Sequence, residues 1–322
     1  HGRGDTGDID LLARRSTDGG VSWGPSRVVW NDGANTCGNP CPVADRDTGA
    51  IWLFMTHNLG TDSEKDLVLG ASKGRRTVWT STSRDDGRSW SRPRNLSAGL
   101  VPQSWRWVAT GPGAGIQTRT GRLVIPCDHI RPGGRAHIDL AFFFSHVIFS
   151  DDHGRTWRLG GSVGPGSNEC EAVELADGRL LLNMRSYRGR NRRLVATSRD
   201  GGRTWSRPRS DPALVEPVCQ ASIRRLTTRA TSGRNRLLFA NPASLERKML
   251  TVRLSYDSGF QQTTDGKVNF WVLTKNGLQQ VMQGAFPNEL NLAAGQPAED
   301  GRPGVMQATL RIGGEGPYTL IV

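Results

Sequence analysis

STDGGVSW (Ser16 to Trp23), SRDDGRSW (Ser83 to Trp90), SDDHGRTW (Ser150 to Trp157) and SRDGGRTW (Ser198 to Trp205) are four copies of one eight-residue pattern, and a degraded fifth, SYDSGF, starts at Ser255. Their starts lie 67, 67, 48 and 57 residues apart, the irregular beat of a structural repeat whose loops differ in length. Within each copy the Asp can accept hydrogen bonds from nearby backbone amides. The Gly supplies a positive φ, and the Trp offers a large apolar face for burial. The pattern therefore reads as a β-hairpin turn stapled by its own side chains.

Composition agrees with many short strands. The chain has 322 residues with 40 Gly and 17 Pro, no apolar run of membrane-spanning length and no long stretch of helical period, so an all-β fold is expected. His1 to Asp5 does not read as a signal peptide. The chain reads as starting inside a domain, which leaves room for a soluble, secreted protein whose export signal is not in this sequence. Five widely spread cysteines (Cys37, Cys41, Cys127, Cys170, Cys219) argue against a disulfide framework and a zinc site, and read as buried thiols.

The net charge of +12 favours an anionic partner. The densest basic stretch, Arg185 to Arg193, falls on a strand, a turn and a strand inside the repeat array with no nucleic-acid motif around it, so nucleic acid is not the expected partner. After Phe260 the composition changes: seven of the ten Gln lie there, against four of the 42 basic residues. Residues 261–322 are read as an atypical β-rich segment, either an aberrant last blade or a small separate module, following a propeller at 1–260. GPGAG at Gly111 to Gly115 lacks the strand-to-helix setting of a phosphate loop and reads as a turn.

The repeated pattern resembles the Asp box of the sialidase (neuraminidase) family and of other β-propellers. The resemblance implies a six-bladed β-propeller of the sialidase type, incomplete at the N-terminus and atypical at the C-terminus. It also places the boxes on the face away from the active site, with Asp18, Asp85, Asp152 and Asp200 structural. One or two carboxylates per box are too few for a calcium loop, and no metal or cofactor is expected.

Six segments carry the resemblance toward a site. GDTGDIDLLARRS is similar to the loop that holds the family's acid/base Asp, which by position is Asp5, with Asp8 and Asp10 nearby and Asp10 read as structural. NTCGNPCPVADRDTG resembles an Asn-Pro-Cys-Pro segment near the N-acetyl pocket and points to Asn39. SNECEAVELADGRLLLNMRSYR implies that Glu169 contacts the catalytic Tyr and that Arg185 binds the substrate carboxylate, with Glu171 and Glu174 as alternatives to Glu169. RLLFANPASLERKML implies a second carboxylate-binding Arg at Arg247, with Arg236 as runner-up, and EPVCQASI places Gln220 on a polar wall. IPCDHI sets Asp128 and His129 where relatives line the glycerol pocket, so His129 joins the substrate-binding candidates.

The implied chemistry is exo-α-sialidase hydrolysis of terminal sialic acids from glycoconjugates with retention. Guanidinium groups fix the sugar's carboxylate, a Tyr replaces the usual carboxylate nucleophile, and an Asp works as acid and base. The family's first carboxylate-binding Arg and its nucleophilic Tyr are not found by motif. Of the three tyrosines, Tyr187, Tyr256 and Tyr318, none matches, so this chain is expected to be a poor catalyst. Alternatives are a propeller that binds sialylated or other acidic glycans without turnover, a trans-sialidase, or an enzyme of sulfated glycans.

Overall fold

The computed structural model describes residues 5–18, 20, 22–131, 140–256 and 270–272. Alternation of apolar and polar residues, broken by Gly, Pro and the boxes, yields nineteen short strands among the described residues, all paired antiparallel with neighbours in their sheets. A two-stranded sheet comes first, β1 (Leu11–Ala13) with β2 (Arg27–Trp30). The next sheet runs β3 (Thr36–Ala44), β4 (Ile51–Asn58), β5 (Thr77–Ser83) and β6 (Arg94–Asn95). In the third, β7 (Val108–Thr110) and β8 (Ile116–Gln117) both pair with β9 (Leu123–Ile130), followed by β10 (Phe143–Ser150) and β11 (Arg158–Val163). The fourth is β12 (Ser167–Glu174), β13 (Leu180–Ser186), β14 (Arg192–Ser198) and β15 (Arg209–Val215). The last is β16 (Ser222–Thr227), β17 (Arg236–Pro242), β18 (Leu250–Tyr256) and β19 (Phe270–Val272).

Each of the four larger sheets is ordered as its strands follow in the chain, and its first strand meets the first strand of the next sheet. Gly115 N donates to Pro42 O at 2.8 Å, and the Glu171 carboxylate of β12 accepts from Ala114 N at 3.2 Å and Ile223 N at 2.9 Å. These are the inner strands of a propeller-like array, with four blades among the described residues. The GPGAG stretch is the break between β7 and β8. A Cβ on Gly113, at φ +151°, would lie 2.2 Å from Glu171 Oε1, so the approach of blade to blade there requires a glycine.

The boxes do what their sequence suggests. In the copy at Ser198, the Ser198 hydroxyl accepts from Gly202 N at 2.8 Å and donates to Asp200 Oδ1 at 2.7 Å. Asp200 in turn accepts from Thr204 N at 2.9 Å and from the Thr204 hydroxyl at 2.6 Å. The other three repeat this geometry around Asp18, Asp85 and Asp152. Hydrogen bonds from Ser16 and Ser22 hold the Asp18 carboxyl far below the usual carboxylate range, and those from Ser89 and Ser83 do the same for Asp85. At Asp152 and Asp200 burial pushes upward, and the hydrogen bonds together outweigh it to give about 2.

The boxes at Ser83, Ser150 and Ser198 each join the last two strands of a larger sheet, with the Trp wedged against the preceding sheet, whereas the box at Ser16 joins β1 and β2. Trp157 meets Phe54 and Trp52 edge-on at 4.5 and 5.8 Å, and Trp205 packs in the cluster of Val147 and Val163. Trp23, of the first box, has no preceding blade among the described residues and is 50% exposed, so there the expected burial is only half realised. Polar contacts repeat the docking. Arg15 reaches Asp86 O at 2.6 Å, and Arg122 reaches Gly201 O at 2.8 Å. The five thiols are free, with Cys37, Cys41, Cys127 and Cys170 buried and Cys219 partly so.

Candidate active site

Antiparallel order fixes which end of each blade a residue occupies. The turns from first to second strand and the boxes share one end. The starts of first strands and the connections from second to third strand lie at the other. Asn39 and Glu169 lie near the starts of β3 and β12, and Gln220 just precedes β16. Asp128 and Arg185 are near the ends of β9 and β13, Arg247 lies between β17 and β18, and Asp5 precedes β1. All seven therefore belong to the end away from the boxes. The runner-up Arg236 begins β17 at the box end and is buried, and Glu174 ends β12 at that end, where it pairs with Arg119. Residues 257–269 and 273–322, with Tyr318 and most of the atypical segment, lie outside the described residues.

The centre is an ion pair. Arg185 Nη1 meets Glu169 Oε2 at 2.8 Å, with both side chains about one fifth exposed (18% and 21%). Glu171 is turned into the propeller axis, where it accepts from Ser222, Ile223, Ala114 and Arg224, so of the three carboxylates on β12 only Glu169 faces the basin. A register shift between Ser167 and Cys170 accounts for this. Without it residues 169 and 171 would share a face.

Around the pair stand Glu64 and Arg76, which the sequence did not single out, and Tyr187, which matched no motif. Glu64 opens the short helix α1 (Glu64–Leu69), which is capped by the Ser63 hydroxyl accepting from Asp66 N and closed by Gly70 in the left-handed conformation. Burial raises the Glu64 carboxyl above its ordinary range against the pull of Arg76, and the charges of Asp5, Arg185 and Glu169 all act on it. Arg76 is a buried guanidinium just before β5, its carbon 5.5 Å from the Trp107 ring, facing Glu64, Asp128 and Asp5. Tyr187 lies with the Arg185 guanidinium 5.0 Å from its ring, and its hydroxyl donates to Asn168 Oδ1 at 3.1 Å. Burial pushes the Tyr187 phenol up to about 12, so it is neutral at physiological pH.

The remaining candidates sit at the rim. Asp5 is exposed. Asp10 is tied to Asn31 Nδ2 at 2.7 Å, in keeping with a structural role. Asn39, at φ 51° in a bulge of β3, accepts from the Thr56 hydroxyl at 3.2 Å through its side chain. Arg247 is exposed, with Nη2 3.4 Å from Val218 O, and both it and Arg185 act on the half-buried Cys219 thiol. Gln220 spends its amide on Pro112 O at 2.5 Å and its carbonyl on Ala221 N, so it braces the inner strands.

The structure does not bring His129 to this basin. Neighbouring strand residues point to opposite faces, so Asp128 faces the site network and His129 faces the sheet before it. There His129 is fully buried. Its ring stacks on Trp105 at 3.4 Å and its Nδ1 lies 3.0 Å from His146 Nδ1. Burial lowers both imidazoles, His146 to about 3, and both are neutral. Asp45, Asp47 and His153 gather potential metal-ligating atoms within 4.8 Å, but on the box face, and Asp45 is already bonded to Thr48, Gln117 and His153. No helix among the described residues is long and apolar enough to cross a membrane.

Comparison with known proteins gives this geometry its class. Residues 1–265 match the family described as BNR repeat-like domain. The sialidase of Micromonospora viridifaciens is 37% identical over 276 residues, 79% of this chain and 40% of that protein. An exo-alpha-sialidase of Aspergillus fumigatus is 34% identical over 286 residues, covering 83% of this chain and 65% of its own. Among solved structures, the Hadza microbial sialidase Hz136 superposes with a TM-score of 0.68 at 32% identity, over 79% of this chain and 51% of that one. The chain belongs to the sialidase family with BNR repeats over residues 1–265. It spans between 40 and 65% of the length of these two curated relatives.

Proposed function

We propose that this chain is the catalytic propeller of an exo-α-sialidase, a retaining glycoside hydrolase acting on terminal sialic acids of glycoconjugates. In this reading the four described blades and the β1 and β2 pair belong to a six-bladed array. Residues 1–260 are its body, and 261–322 continue it as an atypical β-rich segment whose Phe270–Val272 supplies the last described strand. The observation that carries the reading is the Glu169 and Arg185 pair at the end of the blades opposite the boxes, with Asp5 and Arg247 at the same end.

The roles follow from charge and reach. Arg185 and Arg247 hold the sugar's carboxylate, since planar guanidinium forks match a carboxylate. Glu169 holds Arg185 through Oε2, and in this reading it also accepts the proton of an attacking phenol, for which no residue is assigned. Asp5, on an exposed loop, protonates the leaving oxygen and then activates water. Asn39 faces the N-acetyl group, while Glu64 stands where hydroxyls of the glycerol chain would lie. The test is release of 4-methylumbelliferone from its sialoside, beside Glu169→Gln and Arg185→Ala. Turnover abolished by both supports the enzyme. Absence of turnover with retained calorimetric binding of sialic acid, lost in Arg185→Ala, assigns a binding propeller instead. Arg185→Ala is expected to cost on the order of 2 to 5 kcal/mol in binding.

A further inference from the structure

Beneath the ion pair runs a buried chain of hydrogen bonds that the mechanism above does not use. Asp128 of β9 is wholly buried, and its Oδ2 accepts from Asn168 Nδ2 at 2.5 Å. Asn168, 3% exposed, accepts the Tyr187 hydroxyl at 3.1 Å on its Oδ1. Its backbone carbonyl takes the Ser145 hydroxyl, fixing β12 one residue before Glu169. The Tyr187 ring then lies 5.0 Å from the Arg185 guanidinium, whose Nη1 is on Glu169. The circuit closes on itself: Glu169 follows Asn168 in the chain, and Tyr187 follows Arg185 by two residues.

We infer that Tyr187 and Asn168, anchored on Asp128, are positioning residues that hold the Arg185 guanidinium in the plane needed to receive a carboxylate. Glu169 alone does not do this. One ion-pair contact leaves a guanidinium free to rotate about it, and the Arg185 Nε has no hydrogen-bond partner among the described residues. What restrains the plane is the face of the Tyr187 ring, and what restrains the ring is its hydroxyl on Asn168. Asn168 can act so because its amide is polarised at both ends, giving to Asp128 and receiving from Tyr187. Asp128 suits the anchor. Burial raises its carboxyl well above the ordinary range, which opposes a negative charge beneath a pocket meant for an anion.

The experiment uses Tyr187→Phe, which removes one hydroxyl, with Asp128→Asn, which keeps an acceptor for Asn168, and Asp128→Leu, which does not. Melting curves confirm that each is folded. In the free proteins, nitrogen-15 spectroscopy of the Arg185 guanidinium, assigned with Arg185→Lys, reads rotation about its Cζ bonds. Restrained rotation in the wild type and Asp128→Asn, with faster rotation in Tyr187→Phe and Asp128→Leu, is expected. Equal rotation in all four overturns the inference whatever the ligand.

The second arm rests on the sialidase reading. Tyr187→Phe should weaken calorimetric binding of sialic acid by about fivefold to tenfold, the affinity equivalent of one hydrogen bond, and leave that of its methyl ester unchanged. Equal weakening of acid and ester means that Tyr187 shapes the pocket generally and overturns its role through Arg185. A wild type with restrained Arg185 that binds neither sugar refutes the sialidase reading and leaves the positioning chain standing.

Discussion

Replacing Arg193 by Met should expose how much of the basic character of this chain is structural. Arg193 lies in the densest basic stretch, yet its side chain and that of Glu216 are both 0% exposed. Arg193 Nε donates to Asn183 Oδ1 at 2.6 Å, and its Nη1 to Glu216 Oε2 at 2.8 Å and Cys219 O at 2.6 Å. Met fills most of the volume but leaves Glu216 with the Ser186 amide as its remaining donor. Breaking one side of a buried ion pair costs about 3 to 5 kcal/mol. A bound from proton linkage agrees. Burial already pushes the Glu216 carboxyl above 4.5 and Arg193 pulls it back, so without Arg193 the carboxyl protonates. Doing so at pH 7 costs about 3.4 kcal/mol, and at pH 5 only about 0.7 kcal/mol. The sign follows: a carboxyl raised in the folded state is penalised as pH rises above its unfolded value, so the deficit of Arg193→Met should shrink on acidification. Urea denaturation of the wild type, Arg193→Met and Arg193→Met/Glu216→Gln at pH 7 and 5 measures it. A single variant within 1 kcal/mol of the wild type at pH 7, on the order of the loss of a single neutral hydrogen bond, would refute the reasoning. So would a deficit that neither pH nor the second substitution relieves.

His146, neutral with its titration lowered to about 3, binds fewer protons folded than unfolded, so stability falls as pH drops from 6.5 toward 3. At pH 5 this amounts to about 2 kcal/mol, with His129 acting in the same direction, and a His129→Phe/His146→Leu pair should flatten the slope seen in melts between pH 7 and 5. Asp200→Ala strips the acceptors of Thr204 N, the Thr204 hydroxyl and the Ser198 hydroxyl. It should cost about 1 to 3 kcal/mol in urea titrations while sialic acid affinity, at the opposite end, stays unchanged. Gly113→Ala forces a Cβ to 2.2 Å from Glu171 Oε1 at a φ of +151°. Loss of more than about 1 kcal/mol is expected, and a neutral result would mean that the contact between inner strands gives way.

The boxes were legible in the sequence because each carries its whole physical cause within eight residues: acceptor, left-handed turn and Trp. Blade order followed, since short antiparallel strands around a recurring turn leave little choice of topology. Glu169, Arg185 and Arg247 were named as candidates through their segments, and the strand ends put all three at the end away from the boxes. Spacing could not choose between Glu169 and Glu171, because the deciding feature is a register shift between Ser167 and Cys170. Nor could it separate Asp128 from His129, which are adjacent in sequence yet serve a site network and an aromatic stack on opposite faces.

The groups that went unread, Glu64, Arg76 and Asn168, share one property: each is unremarkable in its own segment and takes a partner from another blade. Arg76 looks like one more basic residue before a strand until Glu64, Asp5 and Asp128 surround it. Tyr187 matches no nucleophile motif; its hydroxyl donates to Asn168 and burial pushes its phenol up to about 12. Its value lies in its ring and in being neutral. In the proposed reading the basin receives an anion, and its guanidinium groups are best supported by uncharged donors, aromatic faces and carboxyls whose ionisation burial opposes. Asp128, Asn168 and Tyr187 meet that requirement together, and no one of them signals it alone.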